Sequence, residues 1–283
     1  MVRSATGGTR RRRLIIAAAA AAASVLVLGG AAWAVASGLG GSVPNGGPDP
    51  HPRPTSASTS AKAPEPTPEP TTTPPPAPAP EPAPAPTPQW NIDDPNSLQV
   101  VVNKQRPLSP ASFVPSDLAY PELPNANGQP LRLEAALALE RMYAEARAAG
   151  VPFAMVSGFR SFELQQQLFA NYSAASGVAA AETFSARPGH SEHQTGLAVD
   201  ISECPGCALS EAFGQTAAGL WVRENAHRFG FLLRYDQGLQ PIVGYVYEPW
   251  HFRYVGVELA TDMRARGIPT LEQYFGLPAA PTY

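Results

Sequence analysis

Four polar residues stand at spacings that suit metal-assisted hydrolysis. His193 and Asp200 fall in the run Pro188-Gly189-His190-Ser191-Glu192-His193-Gln194-Thr195-Gly196-Leu197-Ala198-Val199-Asp200, and Glu248 and His251 bracket Pro249-Trp250. A hydrolytic zinc ion takes three nitrogen or oxygen ligands from the protein, keeps a fourth position open and works beside a carboxylate. His193 ends a loop, and Asp200 lies on the strand expected to follow, on one face with the small residues Ala198 and Gly196. Pro249 fixes φ and bends the chain, so Glu248 and His251 can point into one site, which a straight strand would forbid. Each residue also has a plainer role: a strand histidine packs in a core, and an aspartate closes a turn. Spacing alone leaves the two readings balanced.

The elements that would carry these residues follow from periodicity. Leu131 to Ala149 reads as a helix with Ala135, Leu139, Met142 and Ala146 on one face and Gly150 as its stop. Phe153 to Ser157 reads as a short buried strand, and Ser161 caps a helix through Leu164, Leu168 and Tyr172. Gly196 to Ser202 is expected as a strand, and Thr216 to Arg228 as an amphipathic helix closed by Gly230. Phe231 to Tyr235 and Val243 to Tyr247 read as two strands joined by a loop, and His251 to Val255 as another. Helices near Val257 to Arg266 and Thr270 to Phe275 complete the order. No crossover helices separate the later strands, so the expected class is α+β, a small antiparallel sheet flanked by helices.

The chain has 283 residues and 33 prolines, and the prolines crowd between Gly38 and Gln89. Residues 38–89, Gly-rich and then Pro/Ala/Glu/Thr-rich, cannot bury enough apolar surface to fold and read as a disordered, extended linker. Residues 90–283 suffice for one core and are expected to form a single globular domain. Residues 1–13 form a basic end. Leu14 to Ser37 carries no charge and, at 24 residues, reaches ~36 Å as a helix. Arginines on its N-terminal flank place that end in the cytoplasm and the rest outside. A single-pass membrane anchor is expected, with secretion after cleavage near Ala36 as the alternative. The net charge is −3, and five positive charges precede the apolar run, which leaves −8 for the remainder. That balance does not suit nucleic acid. No protein partner is inferred.

Cys204-Pro205-Gly206-Cys207 is compatible with a redox pair, half a structural zinc site or a disulfide. In an exported domain without a second cysteine pair, a structural disulfide across the Pro-Gly turn is expected. His51 lies in the linker, and His227 falls in the last turn of a helix, where it faces the dipole or solvent. His190 either hydrogen-bonds behind the ligands or caps its loop.

Ser191-x-His193-(x6)-Asp200 followed by Glu248-x-x-His251 resembles the VanY-type D-alanyl-D-alanine carboxypeptidases, zinc enzymes that share a fold with the hedgehog signalling domain and a metal site with lysostaphin-like peptidases. Ser157-Gly158-Phe159-Arg160-Ser161 with Gln165 is similar to that family's Ser-Gly-Tyr-Arg-Ser…Gln segment, with Phe159 for the tyrosine. Trp221-Val222-x-Glu224-Asn225-Ala226, Phe229-Gly230-Phe231 and Gly244 to Gly256 extend the likeness, in the family's order, over about Leu131 to Tyr274. The resemblance implies that His193, Asp200 and His251 bind Zn2+ and that Glu248 takes a proton from the attacking water. It implies that Arg160 faces the scissile carbonyl oxygen or a substrate carboxylate, and that Ser157 helps to bind the substrate. Gln165 either binds substrate or braces Arg160. The implied substrate is the peptidoglycan stem peptide. The same ligands would serve an L,D-carboxypeptidase or a wall endopeptidase, and a zinc-containing wall-binding module without activity is a further alternative.

Overall fold

The two central strands of this domain, Ala198–Ser202 and His251–Tyr254, are buried on both faces. The computed structural model describes residues 90–283. The basic end, the apolar run at 14–37 and the linker at 38–89 lie outside the described residues. Among the described residues, no helix is long and apolar enough to cross a membrane.

The order begins with a two-residue pair, β1 (Leu118–Ala119) and β2 (Leu131–Arg132), and α1 (Leu133–Ala148). Next come β3 (Ala154–Ser157), α2 (Phe162–Ser176), α3 (Val178–Ala181), a 3-10 turn at Glu192–Thr195 and β4 (Ala198–Ser202). Then follow α4 (Ala217–Asn225), a 3-10 turn at Ala226–Phe229, β5 (Phe231–Leu233), α5 (Gln240–Val243), β6 (His251–Tyr254), α6 (Val257–Arg266) and α7 (Leu271–Tyr274). The main sheet has the order β3-β4-β6-β5 and every neighbouring pair is antiparallel, as expected.

Register decides what faces what. Asp200 pairs with Ser157 on one side and His251 on the other, and Ala198 pairs with Arg253. Directly paired residues share a sheet face, and alternate residues along a strand take opposite faces. Val199, Ile201, Phe252, Tyr254 and Phe231 therefore fall on one face, where they pack with Leu139 and Met142 of α1 and Val222 of α4. Fully burying such side chains stabilises by roughly 1.5–3 kcal/mol each. Ser157, Asp200, His251 and Arg253 fall on the other face, and all four are buried.

Two local expectations are corrected. Val243 to Tyr247 is not a strand. Pro241 lies in the first turn of α5, and Gly244 follows in the left-handed region at φ 84°. A Cβ on Gly244 would stand 2.6 Å from the Ala280 carbonyl oxygen, so the chain is held against the C-terminal segment rather than against a strand. Val243 and Tyr245 are buried and Tyr247 only partly so, which explains the strand-like pattern, but Tyr245 packs on Tyr235 and no ladder forms. Gly196 is not on the strand either. It closes the 3-10 turn at φ 67°, packed against Arg132 and Leu118.

Cys204 and Cys207 form the expected disulfide, across a turn closed by Cys207 N–H donating to the Cys204 carbonyl. So short a loop restricts the unfolded chain little. A Cys204→Ser/Cys207→Ser protein is expected to lose no more than about 2 kcal/mol in a thermal melt.

Candidate metal centre

Three elements converge on the polar face of the sheet. His193 rides on the 3-10 turn Glu192–Thr195, Asp200 sits mid-strand on β4 and His251 opens β6 beside it. One ligand atom from each lies within 4.8 Å of the others. His193 Nε2 is 3.3 Å from Asp200 Oδ2, and His251 Nδ1 is 3.1 Å from Asp200 Oδ1. The two rings stand edge to face at 4.9 Å.

The opposite nitrogen of each ring is held from behind. His193 Nδ1 lies 2.8 Å from the Gly158 carbonyl oxygen. A carbonyl only accepts, so Nδ1 carries the hydrogen and Nε2 turns its lone pair to Asp200. Only glycine fits at 158, because a Cβ would stand 2.3 Å from Met155 Cε and 2.6 Å from the Pro130 carbonyl oxygen. His251 Nε2 lies 3.2 Å from Glu192 Oε2, which leaves Nδ1 facing the group. One carboxylate and two imidazoles with such backing are a donor set that suits zinc.

Glu248 and Arg160 flank this group. Glu248 Oε2 is 4.0 Å from His251 Nδ1, and the residue is 6% exposed. Burial pushes its pKa up to about 8, against the opposing pull of His251. Pro249 provides the bend: the Glu248 N–H donates to the Tyr235 carbonyl, and the His251 N–H donates back to the Glu248 carbonyl. Burial lowers the pKa of His193 to about 4, helped by Arg160 and opposed by Asp200. Burial also acts to lower that of His251, but hydrogen bonds to Asp200 and Glu192 outweigh it and raise it to about 9. Asp200 is held well below the usual carboxylate range: the neighbouring histidines outweigh the opposing effect of burial.

Arg160 Nη1 stands 3.7 Å from Asp200 Oδ2, and its side chain keeps 19% exposure at the mouth of the site. Gln165 is the buried residue of α2. Its Oε1 accepts from Arg160 Nε at 3.2 Å, and its Nε2 donates to the Ala186 carbonyl at 2.8 Å. Of the two roles open to Gln165, these bonds are those of a brace for Arg160. Ser157 is buried beside Asp200. His190 is outside the group: its Nδ1 meets the Asn103 carbonyl oxygen at 2.9 Å and its ring lies against Tyr283.

Residues 128–257 match the family model for VanY, D-alanyl-D-alanine carboxypeptidase. The putative carboxypeptidase YodJ of Bacillus subtilis (strain 168) is 43% identical over 190 residues, covering 65% of this chain and 69% of that one. The chain belongs to the VanY family of carboxypeptidases. Among solved structures, the LdcB LD-carboxypeptidase is similar at 42% identity and TM-score 0.61, over 64% of this chain and 87% of that one. A vancomycin-resistance D,D-pentapeptidase VanY variant in complex with Zn(II) is similar at 38% identity and TM-score 0.53, over 63% and 98%.

This VanY-family site contains residues that motif reading passed over. Glu192, Arg234, Arg253 and Glu272 are each 2% exposed or less. Two signals were present in the sequence. Arg253 stands two residues beyond His251 on a strand and so shares its face, and Arg234 interrupts the apolar run Phe231-Leu232-Leu233. Glu272 lies outside the matched family residues and had no such signal.

Proposed function

We propose that this VanY-family protein is a zinc carboxypeptidase that removes the terminal D-alanine from D-Ala-D-Ala-ended peptidoglycan stem peptides. The observation that carries the reading is the His193–Asp200–His251 donor group with Glu248 and Arg160 at its edge. His193 Nε2, an Asp200 carboxylate oxygen and His251 Nδ1 would hold the ion. Zinc bound there acidifies a water and polarises the scissile carbonyl. Glu248 accepts the proton of the attacking water and passes it to the leaving amine. Arg160 presents a fixed guanidinium fork to the carbonyl oxygen or the terminal carboxylate of the substrate, with Gln165 keeping the fork aimed. Ser157, buried and paired with Asp200 across the sheet, stands beside them as a substrate-binding residue. The basic end and apolar run support a place outside the cell membrane, on a linker able to reach on the order of 150 Å when extended.

The test is muropeptide mass spectrometry. Pentapeptide stems are expected to lose one D-alanine, the loss should stop when zinc is chelated, and added zinc should restore it. Product formation that persists through chelation would overturn the metal reading. A second reading, L,D-carboxypeptidase action on tetrapeptide stems, draws on the likeness to the LdcB LD-carboxypeptidase. Tripeptide product from tetrapeptide, with pentapeptide untouched, would establish it instead. Absence of turnover on every stem, with zinc bound, would favour a wall-binding module.

A further inference from the structure

The carboxylate of Glu192 is buried and bonded at both oxygens. Oε1 accepts from Arg234 Nε at 2.9 Å and from Arg253 Nη1 at 3.1 Å, while Oε2 faces His251 Nε2 at 3.2 Å. Arg234 turns its other nitrogens to Glu272, Nη1 to Oε2 at 2.9 Å and Nη2 to Oε1 at 2.7 Å. Asn103 Nδ2 donates to Glu272 Oε1 at 2.9 Å. Arg253 spends its remaining donors on the Tyr254, Leu98 and Val100 carbonyls. The small Ala198, paired with Arg253 across β4 and β6, leaves space for the guanidinium.

Two carboxylates and two guanidiniums are thus sealed beneath the polar face of the sheet with their charges balanced. Desolvating four charges is costly, and an apolar core of the same volume would be as stable or more so. Stability alone does not account for the network. Among the described residues, its one side-chain hydrogen bond to the metal-binding histidines is the one that Glu192 Oε2 accepts from His251 Nε2.

We propose that Glu192 is a positioning residue that fixes the tautomer and ring angle of His251 for metal binding, and that Arg234, Arg253 and Glu272 hold Glu192 in register. A carboxylate ion-paired to two arginines has no hydrogen to donate, so the imidazole must place its hydrogen on Nε2. Nδ1 is then left as the ligand atom, facing Asp200. The proposal rests on the metal reading of the His193–Asp200–His251 group. It extends the site beyond the matched family residues, since Asn103 and Glu272 flank them at either end of the described domain.

Zinc affinity of the full chain, measured by chelator competition, is the test. Glu192→Gln is expected to weaken zinc binding 10–100-fold, the usual consequence of losing a carboxylate behind a metal-bound histidine. Arg264→Met, which removes an exposed ion pair with Glu224 outside this network, should keep the zinc affinity of wild type. Equal affinity in wild type and folded Glu192→Gln overturns the positioning role alone. A wild type that binds no zinc overturns the metal reading and this proposal together. Nitrogen-15 ring spectra of the zinc-loaded wild type need no variant: a hydrogen on Nε2 and zinc on Nδ1 of His251 support the role, and zinc on Nε2 overturns it.

Discussion

Glu248→Gln is expected to lower D-alanine release from a pentapeptide stem by about 10³-fold while the protein still binds one zinc ion. General-base catalysis contributes about 10²–10⁴, and an amide of the same shape cannot accept the proton. Glu248 is suited to that loss because its carboxyl is buried, is not one of the three donor residues, and stands 4.0 Å from His251 Nδ1. Burial holds its affinity for protons above that of an ordinary glutamate, and a divalent cation beside it favours the ionised form that a base requires. The substitution separates binding from chemistry. Zinc content by mass spectrometry should match wild type, and the fall should appear in kcat rather than in KM. A variant that keeps its rate, beside a wild type that needs zinc, would place the base elsewhere. Loss of both zinc and rate would make Glu248 a ligand.

The site was legible where chemistry and local geometry coincide in a short stretch of chain. His193 to Asp200 spans a turn and half a strand, and Pro249 marks the bend that lets Glu248 and His251 converge. The helices were legible for a related reason: Ser161 does cap α2 by accepting from the Leu164 N–H, and Gly230 and Gly267 end their elements in the left-handed region. What stayed hidden depends on partners remote in sequence. The β-branched and aromatic residues Val243, Tyr245, Val246 and Tyr247 imitate a strand, but a strand needs a neighbour, and the C-terminal segment fills that place. The helix through Leu164, Leu168 and Tyr172 was legible, but not that its buried residue is Gln165, whose partners Arg160 and the Ala186 carbonyl are brought to it by the fold. Glu192 could be read as an ordinary loop charge until the sheet register set it between His251, Arg234 and Arg253.

Arg234→Met is expected to cost 3–5 kcal/mol of unfolding free energy, the largest stability loss of any charge removal considered for this domain. Methionine fills much of the volume, so packing changes little, but Glu192 keeps only Arg253 and His251 as partners and Glu272 only Asn103, with no cation between the two carboxylates. Breaking one member of a buried network strands the others, whereas removing an exposed pair costs at most about 1 kcal/mol. Arg264→Met is the matched control, since Arg264 and Glu224 form an ion pair with 51% and 68% of their side chains exposed. Denaturant melts of the zinc-free proteins should therefore separate the two variants by at least about 2 kcal/mol. Zinc should narrow neither gap fully. Binding stabilises by mass action in proportion to affinity, and Arg234→Met, by loosening Glu192 behind His251, is expected to gain less from the same zinc concentration than wild type does. Equal zinc-induced shifts in Arg234→Met and wild type would mean that the network stabilises the fold without reaching the metal.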